Sequence, residues 1–140
     1  MPCEADGERP HLMRPDEHSG RTLAYLGDAV WSLKAREYLI EKGYGTGRQL
    51  QAKTIRLVSA KAQAKVYDAL HEEGWFTDQE EDLFHRGRND NAGSVPNNTD
   101  VLTYRRSTGF EAVIGWLRLE QNDARIDEIF QRAVEITGVL

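Results

Sequence analysis

The chain has 140 residues, 39% of them hydrophobic and 29% charged, which is typical of one soluble globular domain and excludes a disordered or fibrous chain. No apolar run is long enough to cross a membrane, and the single cysteine, Cys3, excludes disulfides within the chain, as expected in a reducing cytoplasm. The net charge of -5 argues against a protein that is basic over its whole surface.

The first 19 residues differ in composition from the rest of the chain. They contain three of the four prolines, Pro2, Pro10 and Pro15, among charged residues. They have no central apolar stretch of the kind found in a secretory signal. We therefore predict a flexible leader over residues 1–19 and one folded domain over residues 20–138.

Two helices are predicted in the first half of this domain. Residues 22–41 are too apolar for a surface helix, so we expect a central position for them. Three alternating glycines then interrupt the helical pattern. From about residue 48 to residue 73, apolar side chains recur on one third of the helical circumference, which predicts a single second helix that ends before Gly74.

The second half of the chain predicts three more helices. Thr77 and Glu80 have the spacing of a capping box, and the short helix that follows them fades near Arg88. Loop-forming residues dominate positions 89–100, and Asp100 is expected to cap the next helix rather than to bind a metal. Helices are predicted at 101–120 and 123–137. No segment alternates like a strand, so the predicted fold class is all-α.

Two acidic residues, Asp28 and Glu111, stand alone in otherwise apolar helical segments. Burying a carboxylate costs free energy unless a partner compensates for the lost water. One interpretation is ion pairing, of Asp28 with Arg36 or a lysine, and of Glu111 with Arg118 or Arg105. The other is a hard cation such as Mg²⁺ that both carboxylates bind.

Basic residues concentrate where acidic residues are missing. No Asp or Glu occurs between residues 42 and 67. Four basic side chains of this region lie outside the predicted apolar face, namely Lys53, Arg56, Lys61 and Lys65. Such a run is either a solvated face or a surface for the phosphates of double-stranded RNA, and its lack of acids favours RNA. Arg86, Arg88 and Arg105 flank the 89–100 loop, which is either a flexible connection or an RNA-contacting flap.

Five segments, in this order along the chain, carry a resemblance to a known family. They are Leu26-Gly27-Asp28-Ala29-Val30, the residues 56–63, the residues 86–89, the residues 98–105, and Phe110-Glu111-Ala112-Val113-Ile114-Gly115. Together they resemble the catalytic domain of ribonuclease III, and more closely its short bacterial branch, Mini-ribonuclease III. The resemblance extends over roughly residues 20–138.

This resemblance implies a homodimeric helical bundle that cleaves double-stranded RNA to 5′-phosphate ends. It implies Mg²⁺ as the cofactor, with Mn²⁺ as a substitute, and precursor 23S ribosomal RNA as the natural substrate. Asp28 and Glu111 occupy the positions of the family's metal-binding acids, and α-helical residues Tyr25 and Trp31 are close to the expected dimer interface. Trp31, Trp75 and Trp116 are each expected in the core or in that interface.

The chain departs from the full-length family at three positions. Arg21, Ala24 and Thr108 stand where that family has further acids, and the short branch is similar in lacking them. With two carboxylates, we expect one firmly held Mg²⁺ and at most a second ion recruited mainly by RNA. Because the chain has fewer acids than the full-length family, an alternative function stays open. The chain could be a catalytically silent protein on the same scaffold that binds double-stranded RNA or associates with the ribosome.

Overall fold

The computed structural model describes residues 13–90 and 100–139. After a 3₁₀ turn at Pro15–Glu17 it contains six helices: α1 (Gly20–Glu41), α2 (Gly47–Val58), α3 (Ala60–Glu72), α4 (Asp78–Asn89), α5 (Val101–Leu119) and α6 (Asp123–Thr137). These two stretches contain no strand, so the all-α prediction is confirmed. Most of the predicted leader and of the 89–100 loop lies outside the described residues.

Helices α1 and α5 form the centre of the domain, as their apolar composition predicts. Leu23 and Leu39 of α1 and Ile114 of α5 are completely buried. The Trp31 ring packs edge-on against Phe110 with 4.8 Å between ring centroids, and its Nε1 donates a hydrogen bond to the Leu57 carbonyl at 3.0 Å. Trp31 is therefore a core residue and does not reach the surface.

The predicted helix over residues 48–73 is wrong in one respect, because the structure divides it into α2 and α3. Ser59 separates the two, with an extended backbone (φ −64°, ψ 155°). Its hydroxyl accepts a hydrogen bond from the Ala62 amide at 3.1 Å. Serine is a preferred N-cap residue because its oxygen satisfies an otherwise unpaired amide of the first turn. The side chain that ends α2 thus begins α3.

Two predicted helix starts are confirmed by their hydrogen bonds. Thr77 Oγ1 accepts from the Glu80 amide at 3.1 Å, and the Glu80 carboxylate accepts from the Thr77 amide at 3.0 Å. Asp100 accepts from the Thr103 amide at 3.0 Å and so caps α5. The caps fix where α4 and α5 begin, and therefore which side chains face the core.

A buried ion pair joins α4 to α6. Glu80 is only 3% exposed, and Arg125 donates two hydrogen bonds of 2.8 Å to its carboxylate. The same guanidinium lies 3.9 Å from the centre of the Trp75 ring, which gives that tryptophan a structural role. In the described part of the chain, no helix is both long and apolar enough to cross a membrane.

Candidate active site

Helices α1 and α5 approach each other unusually closely at two glycines. A Cβ atom on Gly27 would overlap with the carbonyl group of Glu111, and a Cβ atom on Gly115 would overlap with the carbonyl group of Leu23. Only a residue without a side chain permits such an approach of two backbones. The glycines next to the two isolated acids are therefore what allows these helices to cross in contact.

This crossing brings the two isolated acids together. Asp28 follows Gly27 on α1, and Glu111 lies one helical turn before Gly115 on α5. Their carboxyl groups are close enough for Asp28 to affect the protonation of Glu111, although 82 residues separate them along the chain. Asp28 is exposed in the single chain, whereas Glu111 is partly buried. The expectation that these acids are buried among apolar residues therefore holds in part for Glu111 and not for Asp28.

The proximity of two carboxyl groups changes the protonation of the more buried one. Burial, followed by the hydrogen bond and the negative charge of Asp28, raises the pKa of Glu111 from 4.5 to about 9. In the absence of a cation, Glu111 therefore binds a proton at neutral pH. A divalent cation held by Asp28 and Glu111 would replace that proton, because it would compensate both negative charges.

A third side chain completes the site and was not predicted from the sequence as a functional residue. Gln63 of α3 is 1% exposed, and its Nε2 donates a hydrogen bond to Glu111 Oε2 at 3.1 Å. Its Oε1 is buried and has no hydrogen-bond partner among the described residues. A sequence signal existed, since Gln63 is polar yet shares a helical face with the apolar positions Tyr67 and Leu70.

The donor set fits a hard divalent cation. Carboxylate oxygens and an amide oxygen are the ligand types that Mg²⁺ prefers, directly or through water. Asp28 and Glu111 supply two carboxylates, and the described residues hold no cluster of three or more Asp, Glu, His or Cys side chains. The three positions at which the full-length family has further acids supply none here: Arg21 is exposed, Ala24 is buried, and Thr108 donates to the Tyr104 carbonyl at 3.1 Å.

The alternative interpretation, ion pairing of the two acids, finds no support in the described residues. Neither Asp28 nor Glu111 has a basic partner there, and Arg36 is exposed without an acidic one. Arg118, one suggested partner of Glu111, instead binds Asp123 at 2.8 Å. The acids are thus left to each other and to Gln63.

The basic residues predicted to bind RNA lie on four helices, α2, α3, α4 and α5. Within the described stretches none of them forms an ion pair with an acid, unlike Arg118, Arg125 and Arg132. Lys61 and Lys65 are exposed on α3, the helix that carries Gln63. They lie one helical turn apart and therefore share a face.

The remaining predicted RNA-binding residues have contacts within the fold. On α2, Lys53 lies 5.2 Å from the centre of the Tyr44 ring, and Arg56 donates to the Thr137 carbonyl at 3.2 Å. On α4, Arg86 donates to the His18 carbonyl at 2.6 Å, and Arg88 lies 6.0 Å from the Phe84 ring. Arg105 of α5 is partly buried. Four of these side chains therefore contact another part of the fold, and the fifth, Arg105, is less exposed than Lys61 and Lys65.

Together these features define an all-α protein with an acidic, cation-compatible site at its central helix crossing. Its helices also carry basic side chains that have no acidic partner among the described residues, as in a nuclease. The family model described as the Ribonuclease III domain matches residues 21–122. The chain is 41% identical to Mini-ribonuclease 3 of Streptococcus pneumoniae over 117 residues, which cover 84% of this chain and 91% of that protein. It is 44% identical over 127 residues to Mini-ribonuclease 3 of Brevibacillus brevis, covering 91% and 90%.

A solved structure agrees with these sequence relatives. The crystal structure of a protein from Fusobacterium nucleatum superposes with a TM-score of 0.79 and 27% sequence identity, covering 89% of this chain and 99% of that one. The chain belongs to the ribonuclease III family, in its Mini-ribonuclease III branch, and is an endoribonuclease.

Proposed function

We propose that this endoribonuclease cleaves double-stranded RNA in a Mg²⁺-dependent reaction, with Mn²⁺ as a substitute, and that Asp28 and Glu111 bind the cation. The observation that carries the proposal is the meeting of these two carboxyl groups at the α1–α5 crossing. A partly buried carboxyl group with a strongly raised pKa beside a second acid is a recurrent feature of functional sites, and a cation-dependent function explains why both acids are present.

The chain's own residues have separable tasks in this reaction. Asp28 and Glu111 supply the negative charge that holds and orients the cation, and Gln63 contacts Glu111 from the buried side. When bound, a divalent cation supplies Lewis acidity toward the phosphodiester and a more acidic water for hydrolysis. The basic side chains bind the phosphates of the duplex and align a phosphodiester with the acids, and Lys61 and Lys65 are exposed for this role.

The number of cations follows from the number of acids. Two carboxylates and the phosphate oxygens of RNA suffice for one Mg²⁺, which readily keeps several of its waters. We therefore propose one firmly bound ion, with any second ion held mainly by RNA. Two tight sites in the protein without RNA, measured by Mn²⁺ titration, would contradict this.

We further propose a homodimer that forms through α1 and acts in the cytoplasm on a stem of precursor 23S ribosomal RNA. Tyr25 and Leu33 are 84% and 56% exposed on α1. Leu33 borders a groove of mixed character, in which apolar side chains such as Leu26 and Val30 lie beside charged ones such as Glu37. Apolar side chains exposed together on one helix are characteristic of an interface. The substrate proposal depends on the resemblance described above.

A cleavage assay with a matched pair of variants tests the proposed activity. Purified protein, Mg²⁺ and a stem from precursor 23S ribosomal RNA are expected to yield products with 5′-phosphate ends. Asp28→Asn keeps the shape of the side chain but removes its charge, so we expect turnover to fall by roughly 10³-fold, about 4 kcal/mol of activation free energy. Asp82→Asn, an exposed change on α4, is the control and should cleave normally.

The same assay separates nuclease activity from the silent alternative. Asp28→Asn should still fold and shift the RNA on a gel, because phosphate contacts do not need the cation. If the unchanged protein shifts the stem but leaves it intact in both Mg²⁺ and Mn²⁺, the chain is a double-stranded RNA-binding protein. If Asp28→Asn cleaves as fast as Asp82→Asn, Asp28 does not belong to the site.

A further inference from the structure

Gln63 is a buried polar residue whose position is difficult to explain by the needs of the fold. Its neighbours in the sequence, Ala62 and Ala64, are buried and apolar, and so is Val66 one turn later. An amide buried among such residues must satisfy one acceptor and two donor hydrogens. In the described residues its Oε1 has no partner at all.

An unsatisfied buried oxygen has a measurable cost for the folded state. Leaving such a group without a donor costs about 1–3 kcal/mol, and an apolar side chain of the same size would avoid that cost. Methionine or leucine at position 63 should therefore make the metal-free domain at least as stable as glutamine does. A residue that lowers stability in this way is expected where function requires it.

The hydrogen bond from Gln63 identifies what this requirement is. Among the described residues, Gln63 is the one whose side chain donates to the Glu111 carboxylate, through Nε2 to Oε2 at 3.1 Å. This contact fixes the rotation of the carboxyl group and leaves its other oxygen available.

We propose that Gln63 is the positioning residue of the cation site: it orients Glu111 through Nε2, and its buried Oε1 accepts a hydrogen bond from a water at that site. This inference rests on the proposed function, because the cation is the proposed cofactor. The residue does not touch the RNA or the reacting atoms. With no third acid beside Asp28 and Glu111 in the described part of the chain, the orientation of Glu111 has more influence on affinity than it would in a carboxylate-rich site.

Gln63→Met tests this role because methionine has a similar volume and no hydrogen-bonding amide. Outer groups that orient a ligand typically contribute 10–100-fold to metal affinity, so we expect the Kd for Mn²⁺, measured by calorimetry without RNA, to rise by about that factor. Gln131→Met, an exposed change on α6, is the matched control and should leave the Kd unchanged. The melting temperature of metal-free Gln63→Met should equal or exceed that of the unchanged protein.

A cleavage assay provides a second measurement. If Gln63 had only a structural role, its replacement would not change the Mg²⁺ dependence of cleavage in the way described next. The Mg²⁺ concentration for half-maximal cleavage should rise with the Mn²⁺ Kd, and turnover should recover to within a few-fold at saturating Mg²⁺. Gln63→Leu, which also lacks the amide, should behave in the same way and substitutes for Gln63→Met if that variant does not fold. An unchanged Mn²⁺ Kd in a folded variant would overturn the proposal.

The two readouts also separate this inference from the proposed function. If the unchanged protein binds Mn²⁺ and Gln63→Met binds it more weakly, the positioning role stands even when no RNA is cut. If the unchanged protein cuts RNA and Gln63→Met has the same Mn²⁺ Kd and the same Mg²⁺ midpoint, the nuclease proposal stands and the role of Gln63 is refuted.

Discussion

The α-carbon of Gly27 lies against the carbonyl group of Glu111, so closely that any Cβ at position 27 would overlap with it. This contact sets the distance between α1 and α5 beside the two candidate ligands, because Asp28 is the next residue on α1. The separation of the acids is therefore determined by backbone packing, and not by the attraction of the acids for a cation.

Gly27→Ala is expected to damage both stability and activity. Forcing a methyl group into a closely packed helix contact costs about 2 kcal/mol, which should lower the melting temperature by roughly 10 °C. The displaced helices should also weaken Mn²⁺ binding. Gly47→Ala is the matched control, because a Cβ on Gly47 meets nothing within 4 Å, and its melting temperature should stay within about 2 °C. Equal melting curves for the two variants would show that the crossing tolerates a side chain.

The sequence predicts those parts of the fold that depend on neighbouring residues. Thr77 with Glu80 and Asp100 with Thr103 mark the beginnings of α4 and α5, since an N-cap bonds to an amide two or three residues later. The break at Ser59 was missed although its signal is also local. Apolar residues recur at helical spacing on both sides of Ser59, so one long helix was the simpler interpretation. The hydrogen bond of the Ser59 side chain to the Ala62 amide nevertheless starts a new helix at this point.

The site itself could be predicted only in part. Periodicity assigns residues to helix faces but does not pair one helix with another, so the contact between Asp28 and Glu111 depended on a family resemblance. The exposure of Asp28 and the participation of Gln63 follow from three-dimensional packing. Gln63 lies in one of the five segments that carry the family resemblance, residues 56–63. Its position in the sequence gives no indication that it contacts an acid 48 residues later.

The raised pKa of Glu111 predicts how stability depends on pH in the metal-free protein. Burial and the nearby Asp28 raise this pKa to about 9, whereas the unfolded chain has the ordinary value of 4.5. Between these values the folded state keeps a proton that the unfolded state releases, so stability falls as pH rises through this window. Below it both states are protonated, and the effect is absent.

Glu111→Gln removes this titration, so the stability of the variant should not fall between pH 4 and pH 8 as that of the unchanged protein does. At pH 8 the variant should melt higher than the unchanged protein by roughly 5 °C, and at pH 4 the two should melt together. Mg²⁺ should raise the melting temperature of the unchanged protein at pH 8 and leave that of Glu111→Gln unaltered. Parallel melting curves from pH 4 to pH 8 would mean that Glu111 is not held in its protonated form.

The exposed apolar face of α1 leads to a prediction about assembly. In a two-fold dimer each residue of the interface occurs twice, so one charge introduced per chain adds two buried charges. Leu33→Glu should therefore weaken the dimer by at least about 100-fold, close to 3 kcal/mol, as measured by light scattering over a dilution series. Ile55→Glu, at an equally exposed position on α2, is the control and should leave the mass unchanged. A monomeric mass for the unchanged protein would refute the proposed dimer.

The basic residues should differ in their contributions to RNA binding, because some of them already make contacts with other residues of the fold. Lys61 and Lys65 are exposed on α3 without an ion pair in the described residues, whereas Arg56 donates to the Thr137 carbonyl and Lys53 lies over the Tyr44 ring. A phosphate contact contributes about one unit to the slope of log K against log salt concentration. The double variant Lys61→Ala with Lys65→Ala should therefore lower that slope by about two units.

The matched double variant, Lys53→Ala with Arg56→Ala, should lower the slope by less than about one unit and should also reduce the melting temperature, since it removes contacts of α2. Affinity for a short RNA duplex is measured at several KCl concentrations, with Asp28→Asn present in every protein to prevent cleavage. If both double variants reduce the slope equally, α2 and α3 contribute alike to one RNA-binding surface. If neither reduces it, the duplex does not bind through these two helices, and the basic residues of α4 and α5 remain to be tested in the same way.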